Sequence, residues 1–209
     1  MVARGRPRSF SREQALDRAV ELFWARGYER ATLSELQKAM GGISAPSFYA
    51  AFGSKEALFR EAVQRYNQVQ GVPTLKALAE GVTARASMEG LLRAGAMAVT
   101  QQGHPRGCLT ALSGIESAAE ADRLGAFMRE MRAQRQKIIL QRLERGVTDG
   151  DVPKGANLKA VAFFYVTVID GLTLQARDGV SRETLETIGQ SAMQAWDGLV
   201  GQKRPRPQR

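Results

Sequence analysis

The chain has 209 residues, of which 44% are hydrophobic, with a net charge of +9 and a single cysteine. This composition suits a small module plus a larger domain with its own core, and it excludes an intrinsically disordered protein. The lone cysteine excludes an internal disulfide, and the most apolar run (residues 160–169) is too short to cross a membrane. The apolar stretch of a secretory signal does not follow the basic start. We therefore expect a cytoplasmic protein without a membrane partner.

Positive charge is concentrated at the two ends of the chain. Residues 1–12 contain four arginines and no acid, and residues 201–209 contain four basic residues and no acid. Blocks of this kind are typical of flexible arms that contact a polyanion, although they also serve plain solubility. The first block predicts a basic arm over residues 1–10 that contacts DNA. For the basic tail, residues 201–209, both explanations stay open.

A first helix follows the arm. Ser11 and Gln14 have the spacing of a capping box, and apolar residues recur at helical spacing as far as Gly27. The pattern predicts a helix over residues 11–26. Its apolar stripe is expected to pack behind the next two helices.

Three helix starts and two glycine turns lie within residues 32–59. Thr32 and Glu35 form a capping box for one helix, which a pair of glycines ends. Ser44 can cap a second, short helix that has a proline in its first turn. Two short helices joined by a glycine turn are typical of a helix-turn-helix, so we predict a three-helix DNA-binding domain over residues 11–66.

The second of these short helices, residues 44–52, is expected to expose small side chains. Phe48 and Phe52 are four residues apart and point inward. The outer side has no arginine or asparagine for bidentate base contacts, so readout depends on methyl and hydroxyl contacts, with the arm in the minor groove. Lys55 and the Tyr49 hydroxyl suit phosphates. The predicted DNA contacts are Arg4, Arg6, Arg8, Thr32, Ser44, Ala45, Pro46, Ser47, Tyr49, Ala50 and Lys55.

This stretch resembles the TetR family of transcriptional regulators. The family pattern T-L-x-x-[LI]-x-x-A, G-[IV]-S, [LF]-Y-x-x-F and K-E-x-L-F is carried by Thr32, Leu33, Leu36, Ala39, Gly42, Ile43, Ser44, Phe48, Tyr49, Phe52, Lys55, Glu56, Leu58 and Phe59. The resemblance covers residues 8–66, and the turn at Gly41 is one residue longer than the commonest family spacing. It implies an all-α homodimer that binds double-stranded DNA and a small-molecule effector.

The remaining chain, residues 67–200, predicts a helical effector-binding and dimerisation domain. The helix that contains Lys55 is expected to begin in the DNA-binding domain and to end in this one. Glycine and proline breaks separate the later helices, the total comes to about nine, and no segment has strand periodicity. These later helices are predicted at residues 75–83, 87–102, 108–117, 119–145, 158–177 and 182–199.

The last two helices predict a dimer interface. The first of them is apolar on almost every side, and a helix without a polar face must be buried on two sides. Packing of both helices against their symmetry mates as a four-helix bundle explains this, as the family resemblance also implies, whereas a monomer with an unusually apolar core is the alternative. The predicted interface residues are Val161, Tyr165, Val168, Leu172, Leu185, Ile188, Ala192 and Trp196.

Aromatic and methionine side chains in the second domain fit a small apolar or aromatic effector, although a structural core explains each of them equally well. Cys108 has a second interpretation. Positive charge and a helix start beside it favour the thiolate that a redox or electrophile sensor requires, whereas a small buried apolar residue is the simpler interpretation. The predicted effector-lining residues are Met97, Cys108, Leu112, Phe127, Met131, Phe164 and Tyr165.

Enzyme chemistry has little support in the sequence. His104 is the one histidine and lies in a predicted loop, and the chain has no glycine-rich nucleotide loop after a strand and no metal-ligand cluster. Glu116, Glu120 and Asp122 suit a solvated helix end. We therefore predict a repressor, without cofactor or metal, that leaves a palindromic operator when its effector binds. The alternative is a thiol-based repressor that uses Cys108, and a helical small-molecule-binding protein or enzyme with an incidental basic arm is the remote alternative.

Overall fold

The computed structural model describes residues 11–113 and 123–201. All regular secondary structure in these ranges is α-helical, so the all-α prediction is confirmed. The predicted residues Arg4, Arg6, Arg8, Glu116, Glu120 and Asp122 lie outside them, as does the tail after Gly201. Eleven helices occur in the described ranges: α1 (Arg12–Arg30), α2 (Leu33–Ala39), α3 (Ala45–Phe52), α4 (Lys55–Gln70), α5 (Val72–Glu80), α6 (Ala84–Val99), α7 (Leu109–Leu112), α8 (Arg123–Asp149), α9 (Leu158–Arg177), α10 (Arg182–Met193) and α11 (Trp196–Val200).

The first compact unit, Met1–Tyr66, contains α1, α2, α3 and most of α4. Its helices begin at side chains that cap them: Ser11 Oγ accepts a hydrogen bond from the Gln14 backbone N–H at 3.3 Å, and Thr32 forms a complete capping box with Glu35. Aromatic rings fill the centre of the unit, where the Phe23 and Phe59 rings meet edge to face with their centroids 5.0 Å apart. The largest fully buried side chains of this unit are Phe23, Leu36, Phe48, Leu58 and Phe59.

Helix α1 extends beyond its predicted end at residue 26. It reaches Arg30 across a break at Gly27, where φ is 76° and ψ is 172°. Glycine adopts this left-handed region without the steric cost of a Cβ. The turn after the break places the Tyr28 ring 5.1 Å from the Phe59 ring, centroid to centroid. The break therefore lets the chain bend and add another aromatic ring to the unit.

The second compact unit, Asn67–Arg209, is built around α9. This helix packs against α6, α7, α8, α10 and α11. The single helix expected over residues 182–199 is instead two helices, because α10 ends at Met193 and α11 begins at Trp196. The Trp196 ring lies 6.1 Å from the Tyr165 ring of α9, centroid to centroid. The break between the two helices thus accompanies the packing of a large ring against the central helix.

Helix α9 is long as well as apolar. With a mean hydropathy of 1.3 over its most apolar window, it is the one helix in the described ranges that is long and apolar enough to cross a membrane. Our expectation that no segment approaches such a span is wrong by this measure. Core helices of soluble proteins have the same composition, and the contacts of α9 with five neighbouring helices are those of a core helix.

Five predicted dimer-interface residues lie in the core of their own chain, so this part of the prediction is wrong. The side chains with an exposed fraction of 3% or less are Val161, Tyr165, Leu172, Leu185 and Trp196. The periodicity of an apolar stripe shows that a helix face is buried, but it does not show whether the same chain or a second copy covers that face.

The outer sides of α9 and α10 expose other apolar residues. Phe163 is 56% exposed, Leu174 is 51% exposed and Ile188 is 40% exposed. Among the predicted interface residues, Val168 and Ala192 are half-buried and Ile188 is exposed. These helices therefore keep exposed apolar side chains on the side that faces away from the core.

Candidate nucleic-acid interface and effector site

Helix α3 presents a face of small, uncharged side chains. Phe48 and Phe52 point into the first unit, with exposed fractions of 0% and 4%, whereas Tyr49 is 52% exposed. The helix contains no charged residue, so this face meets no electrostatic repulsion at an anionic groove. The exposed positions of α3 are Ala45, Pro46, Ser47, Tyr49 and Ala50, the same five that were predicted to face DNA.

Ser44 fixes the start of α3. Its Oγ accepts a hydrogen bond from the Ser47 backbone N–H at 3.3 Å and lies 2.9 Å from the Ser47 Oγ. Pro46 occupies the first turn, where its missing N–H removes no helical hydrogen bond. Both serines are exposed but already bonded to each other, so a base contact must join or replace this bond.

The turn between α2 and α3 has two consecutive left-handed residues. Gly41 has a φ of 98° and Gly42 a φ of 75°. Hydrogen bonds from the N–H groups of Gly42 and Ile43 to the Gln37 carbonyl, at 2.9 and 3.2 Å, close the turn. Side chains disfavour this backbone, which explains why the extra residue of the turn is also glycine.

Lys55 is held against an aromatic ring. Its Nζ lies 4.4 Å from the centre of the Tyr28 ring, a cation–π contact. The lysine stands at the start of α4, where Ser54 Oγ accepts a hydrogen bond from the Ala57 backbone N–H at 3.0 Å. The free N–H groups of a helix N-terminus together with a positive charge suit a phosphate contact.

The predicted DNA contact Thr32 is engaged in the cap of α2. Its Oγ1 accepts from the Glu35 backbone N–H at 3.3 Å and lies 2.9 Å from Glu35 Oε2. Hydrogen bonds from the Thr32 backbone and side chain hold the pKa of the Glu35 carboxyl below its usual value, and Arg26 pairs with the same carboxylate. Thr32 is exposed, but a DNA contact from its hydroxyl competes with the cap.

Arg12 has a structural role that the sequence does not reveal. Its Nη2 lies 2.8 Å from both carboxylate oxygens of Glu61, and its Nε donates to the Ala51 carbonyl at 3.2 Å. The guanidinium also lies 4.6 Å from the centre of the Phe52 ring. Arg12 thus ties α1 to α3 and α4, although its sequence position groups it with the basic arm.

In the second unit, the predicted effector-lining residues do not share one environment. Met97 on α6 is 48% exposed, so its assignment to the interior is wrong: its neighbours Ala96 and Val99 occupy the inner side of the helix. Tyr165 is fully buried, and its ring lies 5.2 Å from the half-buried Phe164 ring, centroid to centroid. These aromatic residues belong to the core around α9.

The other predicted lining residues lie on or beside α7 and α8. Cys108 is a half-buried free cysteine directly before α7, and Leu112 is the last residue of that helix. Phe127 and Met131 are one turn apart on α8. Because α7 packs against both α8 and α9, Cys108 and Leu112 lie at the junction of these three helices.

Two fully buried hydroxyls of α9 have no hydrogen-bond partner. They are Tyr165 Oη and Thr173 Oγ1, on residues with exposed fractions of 0%. Burial raises the pKa of the Tyr165 phenol far above its ordinary value, so the group stays neutral. An unpartnered buried hydroxyl costs about 1–3 kcal/mol, which a bound water or a polar group of a ligand recovers.

Two family models match the chain in tandem. Residues 15–62 match the model of bacterial regulatory proteins of the tetR family, and residues 85–192 match a tetracyclin repressor-like C-terminal domain. The chain belongs to the TetR family. The repressor ComR of Escherichia coli (strain K12) is 29% identical over 199 residues, covering 95% of this chain and 94% of ComR. The repressor BdcR of the same organism is 32% identical over 181 residues, covering 87% of this chain and 86% of BdcR.

Solved structures agree with this assignment. A cysteine mutant of the TetR family regulator CifR, complexed with 26-base-pair operator DNA, is 40% identical, covers 91% of this chain and 100% of its own, and superposes with a TM-score of 0.86. A regulator from Chloroflexus aurantiacus shares the fold at 19% identity, with a TM-score of 0.79 over 90% of this chain and 95% of its own. The chain is therefore a DNA-binding transcriptional repressor of the TetR family and not an enzyme.

Proposed function

We propose that this TetR-family repressor binds a palindromic operator as a homodimer through α3 and leaves it when a small apolar or aromatic molecule binds the second unit. The observation that carries the DNA contact is the exposed, uncharged face of α3, fixed by a serine cap and preceded by a tight glycine turn. The CifR mutants, 40% identical to this chain, were solved with operator DNA, which supports operator binding by this chain.

Base recognition by α3 relies on shape and methyl contacts. Ala45, Pro46 and Ala50 offer apolar surface for the thymine methyl group, and Ser47 offers a hydroxyl that bonds several base edges. None of these side chains makes a bidentate bond to guanine or adenine. Much of the discrimination between DNA sequences then comes from the width of the minor groove and the deformability of the duplex. The arm arginines Arg4, Arg6 and Arg8 sense these properties from within the minor groove.

Phosphate contacts orient the protein on the duplex. The Tyr49 side chain is 52% exposed, and its hydroxyl can donate to a phosphate oxygen. Lys55 places a charge at the N-terminus of α4, where the helix dipole also favours an anion. These contacts add affinity and fix the register of α3 but carry no sequence information.

The homodimer forms through the outer sides of α9 and α10. Phe163, Leu174 and Ile188 are exposed there, and exposed apolar residues grouped on two adjacent helices are typical of an interface. Gly171 lies on the same side of α9, with no atom within 4 Å of the position of a Cβ, so a partner helix can approach its backbone closely. A two-fold pair presents two copies of α3 to half-sites about 34–36 Å apart.

Release from the operator is a population shift. The ligand binds better to a dimer in which the two α3 helices do not fit successive major grooves, and it displaces the equilibrium by its difference in affinity for the two states. Helix α4 begins at Lys55 in the first unit and ends at Gln70 in the second, which makes it the continuous element that carries the change.

An operator-binding measurement tests this function. Fluorescence anisotropy with the DNA upstream of the gene for this protein, compared with random duplex of equal length at moderate salt, is expected to show selective binding. Small apolar and aromatic compounds that raise the melting temperature of the protein are then added. Operator affinity that stays unchanged at saturating compound contradicts the release mechanism.

A thiol switch at Cys108 is the second candidate. Cys108 is free, half-buried and next to α7, at the junction with α8 and α9. The solved CifR structures are of cysteine mutants, which draws attention to cysteine in a similar regulator. Labelling of the native protein with iodoacetamide at neutral pH decides between the candidates, because a thiol that stays unlabelled cannot sense electrophiles.

A further inference from the structure

Two arginines occupy the inner side of α8 where apolar residues are expected. Met128, Arg132, Arg135 and Ile139 follow one another at spacings of four, three and four, so they share one helix face. Met128 is 0% exposed and Ile139 is 1% exposed, which identifies this face as the buried one. The middle of a core-facing stripe therefore carries two guanidinium groups.

The surroundings of these arginines are polar and incompletely satisfied. Arg132 Nη1 donates to the Ser113 carbonyl at 2.8 Å, and Arg135 forms an ion pair with Asp170 of α9. Arg135 Nε is buried without a hydrogen-bond partner, as is the hydroxyl of Thr173, three residues after Asp170 on α9. Partial burial lowers the pKa of Arg132, which reflects the cost of holding its charge away from water.

The charges of this cluster are not balanced among the described residues. Arg132 and Arg135 contribute two positive charges, Arg129 adds a third close to Arg132, and Asp170 contributes one negative charge. Partly buried guanidinium groups favour carboxylates because two parallel N–H groups match the two oxygens. The neighbouring residues Leu112, just before Ser113, and Met128, one turn before Arg132, are apolar.

We propose that Arg132, Arg135 and Thr173 bind the carboxylate of a small organic monoanion whose apolar body lies against Leu112 and Met128. This inference rests on the proposed ligand-released repressor, and it names the chemistry of the effector. The ligand supplies the acceptor that Arg135 Nε and the Thr173 hydroxyl lack.

Helix α7 connects this site to α4. Its C-terminal end is held by the bond from Arg132 to the Ser113 carbonyl, and its Thr110 hydroxyl donates to Asn67 Oδ1 of α4 at 2.7 Å. A carboxylate is a stronger acceptor for a guanidinium than a backbone carbonyl. The bound anion takes Arg132 from Ser113, which frees α7 and alters its hydrogen bond to α4.

Direct binding to the full-length protein without DNA tests the site. The probes are the straight-chain alkanoates from hexanoate to dodecanoate and the phenylalkanoates from phenylacetate to phenylbutyrate, each compared with its primary amide. We expect at least one carboxylate to raise the melting temperature and to bind in calorimetry, and its amide to bind roughly ten- to hundredfold more weakly, the loss that follows removal of a charge-assisted hydrogen bond.

Variants locate the binding within the chain. Arg135→Met is expected to weaken carboxylate binding roughly ten- to hundredfold, and the near-isosteric Thr173→Val, which removes only an unpaired hydroxyl, roughly two- to tenfold. Lys137→Met removes one positive charge from an exposed position of the same helix and is expected to leave the affinity unchanged. Thr110→Val is expected to keep the carboxylate affinity but to reduce the effect of the ligand on operator binding.

Four results overturn the proposal. The first three are the absence of any bound carboxylate, equal binding of each amide, and wild-type affinity in both Arg135→Met and Thr173→Val. A carboxylate that binds only to the triple variant Glu116→Gln, Glu120→Gln and Asp122→Asn, and not to the wild-type protein, also overturns the proposal. In that case acidic side chains of the chain itself occupy the site. Operator binding without ligand is measured in the same samples, so a failure of the repressor function is distinguished from a failure of the carboxylate site.

Discussion

Gly41 and Gly42 connect the two helices of the helix-turn-helix with two left-handed residues in succession. No atom lies within 4 Å of a Cβ placed on Gly42, so its requirement for glycine comes from the backbone and not from crowding. Such a turn fixes the direction in which α3 leaves α2. The backbone conformation of Gly42 therefore contributes both to the stability of the first unit and to the orientation of α3.

Gly42→Ala tests the left-handed turn. The substitution is expected to lower the free energy of unfolding by about 1–2 kcal/mol, the cost of a Cβ in left-handed backbone. Urea denaturation measures this loss. Gly155→Ala is the control, because it also has open space but no positive φ, and its effect is expected to stay within about 0.5 kcal/mol. Equal effects of the two substitutions contradict the argument.

The arm arginines are tested by the salt dependence of DNA binding. Arg6→Ala with Arg8→Ala is expected to reduce the slope of log affinity against log salt by up to about 0.9 for each lost phosphate contact, on operator and random DNA alike. The matched control is Arg93→Ala with Arg145→Ala at exposed positions of the second unit, which removes the same charge and is expected to leave the slope unchanged. An unchanged slope in the arm variant removes the arm from the DNA interface.

At the scale of single helices, local signals predicted structure better than periodicity did. The caps at Ser11, Thr32 and Ser44 involve residues three apart in sequence, so the helix starts could be predicted from the sequence. What covers the inner face of α9 could not be predicted, because the stripe of Val161, Tyr165 and Leu172 marks a buried face without showing whether the same chain or a second copy buries it. Arg132 and Arg135 were missed for a related reason: arginine is usually a solvent residue, and its position on a buried stripe appears only when α8 is packed.

Arg142 shows how one side chain fixes the packing of α8. It is 7% exposed, and its Nε and Nη2 donate to Ser87 Oγ at 2.7 Å and to the Gly81 carbonyl at 3.1 Å. Arg142→Met removes both bonds and leaves Ser87 Oγ and the Gly81 carbonyl only the long bond to each other, at 3.4 Å, so we expect a loss of about 1–3 kcal/mol in the free energy of unfolding. Arg145→Met, which breaks only an exposed ion pair with Asp149, is expected to cost less than about 1 kcal/mol. Thermal and urea unfolding of both variants check the difference.

For the whole molecule, the proposed dimer explains why apolar side chains lie on the outside of α9 and α10. A pair of helices that exposes Phe163, Leu174 and Ile188 to water in one chain covers them in a two-fold dimer. The same symmetry gives the two α3 helices a fixed spacing. Assembly and operator binding are therefore expected to fail together.

Leu174→Glu tests the dimer. A charge on the outer side of α9 is costly to bury in an interface, so analytical ultracentrifugation is expected to show monomers and operator affinity is expected to fall at least tenfold. Val82→Glu is the control, since Val82 is also an exposed apolar residue, at 91%, but lies in the turn between α5 and α6. A Leu174→Glu protein that sediments as a dimer shows that another surface forms the interface.

The short side chains on the outside of α3 have a practical consequence for engineering. Positions 45, 47 and 50 carry Ala, Ser and Ala, and α3 is capped by its own serine and anchored by two buried phenylalanines, so none of these three outward side chains fills the core. A library that varies them, with Ala50→Asn and Ala50→Arg among its members, adds the adenine and guanine contacts that the natural surface lacks. Such variants offer a route to sets of repressors for synthetic gene circuits, in which each repressor binds its own operator and none of the others.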